Sequence, residues 1–347
     1  MHLMKETLDN LREKNVEISN EEYEGALLAI LLHDVGHTPY SHALEGVLLP
    51  GIGHEQVSAI ILNELFKQYG GNLKVANLIF NNQYPRKFLN QLVSSQLDID
   101  RMDYLNRDSF FTGVSEGKVS SKRIIKLLNV VLDEIVIEEK GIYSIENFLN
   151  ARRLMYWQVY LHKTAVSVEK MLVQIINRAR SLGPEVSKGI SDELAFFLNS
   201  TVELKDLSAG CSSLMAYTSL DDVDVMSAIK SWKKHNDPIL SLLCKNLLER
   251  NLFKVKLFED PLSEEEFNKI KALVIQSYDL PEDEIENLIL TGTLSNAAYI
   301  GGDSKINVLK KSGELIELTE ASDLPNILAM RKIVKKFYLC SPKIISL

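Results

Sequence analysis

The sequence predicts a mainly α protein with a small β-hairpin inserted among its helices and a smaller α+β region at its C-terminal end. Three observations predict this. Apolar residues recur at helical spacing through most of the first half of the chain. Between Glu134 and Ile145 the apolar pattern changes to a period of two. Beyond Leu252 short apolar runs alternate with turn residues.

The elements follow in order. Met1 to Lys14 has apolar residues near helical spacing, and a cap at Ser19 or Asn20 with acids behind it opens a second helix. That helix runs from Glu21 to Asp34, and its apolar stretch Gly25 to Leu32 implies burial. His54 to Tyr69 is a third helix, opened by Gly53 and closed by Gly70-Gly71. Leu73 to Asn81, Phe88 to Asn106 and Ser120 to Val131 are read as further helices. The period-two segment 134–145 is read as a β-hairpin turning at Lys140-Gly141. A long helix is expected from Ile145 to Leu182, and the Gly-Pro tract Ser181 to Gly189 is the expected boundary between a domain at 1–182 and a region at 190–347. Helices return at Asp192 to Leu198, Val223 to Lys234 and Pro238 to Leu252. The tail runs are Lys254 to Phe258, Leu288 to Leu290, Lys305 to Lys310 and Leu315 to Leu318.

Composition narrows the function. A hydrophobic content of 46% and a charged content of 25% are those of a soluble globular chain. A net charge of −8 argues against a general polyanion binder, so nucleic acid is not expected as the main substrate. Cys211, Cys244 and Cys340 are far apart, as expected for buried thiols in a reducing compartment. With no apolar run of about 18 residues and no signal-peptide core, no membrane association and a cytoplasmic location are expected.

The most informative stretch is L-L-H-D-V-G-H-T-P-Y-S-H at 31–42, which holds three of the chain's 7 histidines, with His54 close behind. Imidazole and carboxylate together are the ligand set of a divalent metal, and such an ion activates water near neutral pH. Consecutive side chains lie about 100° apart on a helix, so His33 and Asp34 can both reach one ion only at a helix end or kink. Gly36 and Pro39 supply that end. His2 and His235 carry no such pattern, and Asp221-Asp222-Val223-Asp224 reads as a helix N-terminus.

A second stretch, Q-L-D-I-D-R-M-D-Y-L-N-R-D at 96–108, sets four aspartates and two arginines on an apolar skeleton. Taken alone it describes a solvated helix face with i,i+4 pairs such as Asp103 and Arg107. Beside the His-Asp pair it offers the distant carboxylate that a metal site needs.

Together the blocks H-D-V-G-H-T-P-Y-S-H at 33–42, G-H-E at 53–55, L-D-I-D-R-M-D-Y at 97–104 and A-R-R-L-M-Y-W-Q-V-Y-L-H-K at 151–163 resemble the HD-domain phosphohydrolase superfamily. The match looks closest to its dNTP triphosphohydrolase branch. The resemblance implies an HD-domain helical bundle and a divalent metal ion (Mn, Mg, Fe, Ni or Zn) held by His33, Asp34 and Asp100. It implies that His37, His42, Glu45 and His54 line the reaction site, with Glu45 orienting His42 as general acid and with His37 and His54 on the triphosphate. Arg101, Arg152 and Lys163 become phosphate clamps. Asp98, Tyr104, Asp108, Tyr160 and His162 match positions that read the sugar and base or pack beneath them. Relatives in this branch are often dimers or tetramers, so a homodimer or homotetramer is expected, with the C-terminal region as a possible contributor to assembly.

The family pattern also has an earlier histidine, in a block like R-F-x-H-S-L-G about forty residues before its His-Asp pair. Counting back from His33 puts it ahead of Met1, and His2 does not replace it. The expectation is a native start further upstream, and a chain that as given holds three of four metal ligands and is inactive. The leading reading is hydrolysis of a dNTP to deoxynucleoside and triphosphate. Two others stay open: an HD phosphomonoesterase or phosphodiesterase on another nucleotide, and a nucleotide-binding regulatory module with an incomplete metal site.

Overall fold

The computed structural model describes residues 1–208, 210–278, 281–296, 299 and 305–343. Helices α1 (His2–Glu13), α2 (Asn20–Leu32), α3 (His54–Tyr69), α4 (Leu73–Phe80), α5 (Lys87–Val93) and α6 (Ile99–Thr112) open the chain. Helix α7 (Ser121–Leu127) leads into a hairpin of β1 (Leu128–Val131) and β2 (Glu134–Glu138). Helix α8 (Ile142–Met155) passes through a π-helical turn at Tyr156–Tyr160 before α9 (Lys163–Ser181). Then come α10 (Asp192–Asn199), α11 (Ser212–Ser219), α12 (Asp222–Trp232), α13 (Pro238–Leu248), β3 (Lys254–Phe258), α14 (Glu264–Tyr278), α15 (Glu282–Ile285) and β4 (Leu290–Asn296). Strands β5 (Asn307–Leu309) and β6 (Leu315–Glu317), helices α16 (Leu318–Ala321) and α17 (Pro325–Ala329), and strand β7 (Val334–Ser341) complete the order. The fold is mainly α with an α+β C-terminal portion, as the sequence predicts. No described helix is long and apolar enough to cross a membrane.

Packing groups these elements into two compact units that interleave along the sequence. One comprises Met1–Val35, Ile61–Tyr160 and Asn296–Val334, and the other Gly36–Ile60, Leu161–Ser295 and Lys335–Leu347. The first is built on fully buried side chains from many helices, among them Met4, Leu8 and Leu11 of α1, Phe88 of α5, Met102 and Leu105 of α6 and Phe148 of α8. Burial of each such side chain contributes roughly 1.5–3 kcal/mol. Helices α2 and α4 approach closely at Gly25, where a Cβ would come within 2.5 Å of Val75. A four-stranded sheet of order β1-β2-β5-β6 lies in the same unit, with β5 parallel to β2. The second unit buries Ile175, Phe197, Trp232, Leu240 and Leu243 and carries the sheet β3-β7-β4.

Several expectations about elements are corrected. Phe88 to Asn106 is two helices rather than one, because Asp98 caps α6 by accepting from the Arg101 amide at 2.7 Å. Ser120 to Val131 ends as a helix at Leu127, and the β-branched residues after Asn129 continue as β1. The hairpin is therefore one strand earlier than expected. It turns at Leu132-Asp133, both at positive φ (52° and 61°), and Asp133 is fixed there by the Lys87 amide and Arg86 Nε at 2.6 and 2.9 Å. Lys140-Gly141 instead lies in a 3-10 turn leading into α8, and residues from Ile142 onward are helical. The helix expected over Ile145 to Leu182 is broken, since His162 caps α9 through Nδ1, which accepts from the Thr164 amide at 3.2 Å. Helix α2 stops at Leu32, two residues short of Asp34, and α13 stops at Leu248, four short of Leu252. Helix α14 was not expected. Its signal is the box in which Ser263 and Glu266 exchange hydrogen bonds, followed by apolar residues at helical spacing.

The tract 181–189 holds a 3-10 turn at Gly183–Ser187. Val186 is buried within it, and its carbonyl accepts from Trp232 Nε1 at 2.9 Å.

Candidate active site

In the first unit, α2 ends where the sequence requires an end, and His33 becomes its C-terminal cap. The Nδ1 of His33 lies 2.9 Å from the Ile30 carbonyl. A carbonyl only accepts, so Nδ1 carries the proton and Nε2 presents its lone pair. That Nε2 is buried, finds no hydrogen-bond partner among the described residues, and faces Asp34 Oδ2 at 3.3 Å and Asp100 Oδ1 at 3.5 Å. Asp100 reaches it from the first turn of α6. A lone pair pressed toward two carboxylates is unfavourable unless a cation lies between them, either a proton on the ring or a metal ion. Burial alone would lower the His33 pKa, but the neighbouring Asp100 and Asp34 outweigh it and raise it. The three residues keep potential ligand atoms within 4.8 Å of one another, so one nitrogen and two carboxylates can hold a divalent metal.

The next residue on α6, Arg101, begins a second cluster in the same unit. The Asp98 carboxylate accepts from the Ser95 and Arg101 amides and pairs with the Arg101 guanidinium, which also donates to the Ser95 carbonyl. Asp98 is 1% exposed, so its oxygens serve α6 and Arg101. Arg152 of α8 is 7% exposed, and its Nε and Nη1, like Arg101 Nε, find no hydrogen-bond partner among the described residues. Leaving such donors buried costs about 1–3 kcal/mol each, a cost that an anionic ligand would remove.

Tyrosines gather around these arginines. Tyr156 lies under the Arg152 guanidinium at 6.0 Å, and the Tyr160 ring meets those of Tyr156 and Tyr104 edge-on at 5.2 and 6.1 Å. The Tyr160 hydroxyl donates to Asp108 Oδ2 at 2.5 Å, and burial together with that carboxylate pushes its phenol pKa up. The π-helical turn at 156–160 sets the directions of Tyr156 and Tyr160, as such turns often do at functional sites. Tyr156 was missed from the sequence, although Arg152, Tyr156 and Tyr160 recur every four residues and so could share one helix face.

The second unit holds His37, His42 and His54. His37, His42 and His54 keep potential ligand atoms within 4.8 Å of one another. The rings of His37 and His54 stack at 3.9 Å, and His42 stands edge-on to His37 at 4.9 Å. Glu45 binds two of them, with His42 Nδ1 at 3.0 Å and His54 Nδ1 at 2.6 Å, and its Oε1 accepts from the His54 amide at 3.0 Å. An ionised carboxylate cannot donate, so both Nδ1 atoms carry protons. Burial acts to raise the Glu45 pKa, but these three hydrogen bonds overcome it and hold it down at about 2. A carboxylate that stays charged fixes the orientation of both imidazoles. His162 and Lys163 also lie in this unit, exposed at the start of α9, with His162 serving as its cap.

The HD domain family matches residues 4–108 and the HD-associated region matches residues 119–189. The uncharacterized protein YwfO of Bacillus subtilis is 31% identical over 97% of this chain and 78% of its own. The crystal structure of a phosphohydrolase from Bacteroides thetaiotaomicron superposes with a TM-score of 0.91 at 42% identity, covering 98% of this chain and 85% of that one. A Dictyostelium discoideum homolog of the deoxynucleoside triphosphate triphosphohydrolase SAMHD1 is 29% identical over 51% of this chain and 38% of its own. The family matches, the first of these relatives and the helical fold agree: the chain belongs to the HD-domain phosphohydrolase superfamily.

Proposed function

We propose that the protein is a divalent-metal-dependent phosphohydrolase of nucleotides that hydrolyses a dNTP to deoxynucleoside and triphosphate. The observation that carries this reading is on α6, where Asp100 faces His33 and the adjacent Arg101, like Arg152 of α8, lies near enough to Tyr104 to act on its charge and keeps buried nitrogens without a hydrogen-bond partner among the described residues. Metal ligands and anion ligands thus start from consecutive residues. The similarity to a relative described as a deoxynucleoside triphosphate triphosphohydrolase supports the choice of dNTP.

In this reading His33, Asp34 and Asp100 hold the ion, which when bound supplies Lewis acidity and neutralises phosphate charge. Arg101 and Arg152 take phosphate oxygens, with Asp98 holding Arg101 in place and Lys163 adding a further cation. Tyr160 and Asp108 present a hydrogen-bonding pair to the sugar hydroxyl, with Tyr104 and Tyr156 as apolar walls and His162 beside the nucleoside. His42, donating through Nδ1 to Glu45, is the proton donor to the leaving oxygen, and His37 and His54 stabilise charge on the triphosphate. Residues 1–182 form the hydrolase portion, while 190–347 contribute to a homodimer or homotetramer in the cytoplasm.

The test is product analysis. Full-length protein supplied with Mn²⁺ or Mg²⁺ is expected to release tripolyphosphate from at least one dNTP. Preferential release of orthophosphate from nucleoside monophosphates, or cleavage of a phosphodiester, would replace this reading with the corresponding HD esterase.

A further inference from the structure

The loop that carries His37 and His42 is held from outside itself, by residues far along the chain within the same compact unit. Gly36 is buried, and a Cβ there would come within 2.3 Å of the Ser58 amide nitrogen and 2.4 Å of the His54 carbonyl, so only glycine lets the loop rest on the start of α3. The Gly36 amide donates to Ser58 Oγ at 2.9 Å. Its carbonyl accepts from the hydroxyl of Tyr217, on α11, at 2.7 Å. Tyr217 is 5% exposed and packs edge-on against Phe197 of α10 at 6.0 Å. Burial and the nearby Glu45 charge raise its phenol pKa, so it remains a donor.

Four residues on, the backbone takes an improbable course. Tyr40 and Ser41 both have positive φ, 57° and 49°, a conformation that two successive L-residues adopt only when the surroundings impose it. Within the loop Thr38 holds this pair, its carbonyl accepting from the Ser41 amide at 2.8 Å and its hydroxyl donating to the Ser41 carbonyl at 2.9 Å; from outside the loop Asp222 holds it, its Oδ1 accepting from the Tyr40 amide at 2.7 Å. Asp222 opens α12 but does not cap it; Asp221 caps it, accepting from the Val223 and Asp224 amides. The Asp222 side chain is thereby left for the loop.

We propose that Tyr217 and Asp222 are positioning residues of the hydrolase, which pin the Gly36 carbonyl and the Tyr40 amide and so fix the His37 and His42 imidazoles against His54 and Glu45. The inference rests on the proposed roles of those histidines, and it gives the α11–α12 segment a part in turnover. Neither residue touches a reacting group.

The test uses the full-length protein and two independent readouts. The first is the imidazole spectrum of histidine-labelled protein, with the 7 histidines of this sequence assigned. The His37–His54 stack gives these rings mutual ring-current shifts that a loosened loop would lose. Tyr217→Phe and Asp222→Ala are expected to move the His37, His42 and His54 resonances and to leave His2, His33 and His235 in place. Asp222→Asn retains an oxygen acceptor for the Tyr40 amide and is expected to keep the wild-type spectrum. The second readout is kinetic: kcat falls about tenfold to a hundredfold in Tyr217→Phe and Asp222→Ala, with KM within about twofold, and Asp222→Asn restores it. Unchanged imidazole resonances in Tyr217→Phe and Asp222→Ala overturn the proposal whatever the kinetics show. If Tyr217→Phe does not fold, the Asp222→Ala and Asp222→Asn pair decides. Wild-type protein without turnover on any nucleotide contradicts the proposed function, while the spectra still decide the positioning role.

Discussion

His33 Nε2 lies 3.5 Å from Asp100 Oδ1, while the other nitrogen of the same ring is tied to the Ile30 carbonyl. The relationship joins the end of α2 to the start of α6 and makes a specific demand for a cation. Metal and proton should therefore compete for Nε2. Because the His33 pKa is raised in the metal-free fold, protonated His33 stabilises that fold below its usual value of about 6.5, and this is lost as pH rises through the raised value. Metal binding runs the other way: Mn²⁺ affinity is expected to weaken as pH falls below the raised pKa, with a proton released on binding. Calorimetry in buffers of different ionisation heat checks this. Asp100→Asn should reduce affinity about 100-fold.

Glu45 makes a separate prediction at low pH. Its folded pKa is about 2 against a usual 4.5, so its contribution to stability is complete above about 4.5 and disappears as pH falls toward 2. Acid denaturation of Glu45→Gln should show a shallower loss of stability across that window. An identical acid profile would mean that the His42 and His54 contacts do not hold the carboxylate.

Arg152 sets stability against function. Its two unpartnered buried nitrogens make the guanidinium costly in the absence of ligand. Arg152→Met keeps the chain length and removes those donors, so thermal stability should be retained or rise by about 1 kcal/mol. Stabilisation by added dNTP should disappear in the same variant. Thermal melts with and without nucleotide measure both.

Tyr160→Phe removes only the hydroxyl that donates to Asp108. Stability should fall by about 1 kcal/mol, with the melting transition still cooperative. KM should rise more for a deoxynucleotide than for inorganic tripolyphosphate used as a competing ligand, since the hydroxyl is assigned to the sugar.

Much of this arrangement was legible in the sequence, and the gaps have physical causes. Of the candidate metal group, His33 and Asp34 could be read from a His-Asp pair at a helix end signalled by Gly36 and Pro39, whereas Asp100, one of four aspartates in its stretch, was singled out only by the family resemblance. The helical class was legible from apolar spacing in α1, α2 and α3. The element boundaries were not, where side-chain caps rather than Gly or Pro make the break: Asp98 and His162 each end a helical period that apolar spacing alone carries onward. The hairpin was displaced because its turn uses Leu132-Asp133, whose positive φ is sustained by Arg86 and Lys87 from elsewhere in the chain. Tyr217 and Asp222 were illegible for the same reason, since their partners Gly36 and Tyr40 lie more than a hundred residues away. The acidic run at 221–224 does open α12, with Asp221 as its cap; what it did not disclose is the contact of Asp222 with the Tyr40 amide.

The most direct measurement is ³¹P NMR of full-length protein incubated with Mn²⁺ and a panel of dNTPs, beside Asp100→Asn. Wild type is expected to give a tripolyphosphate signal with stoichiometric deoxynucleoside, and Asp100→Asn to lose it. No tripolyphosphate from any dNTP, or the same yield from the variant, would contradict it.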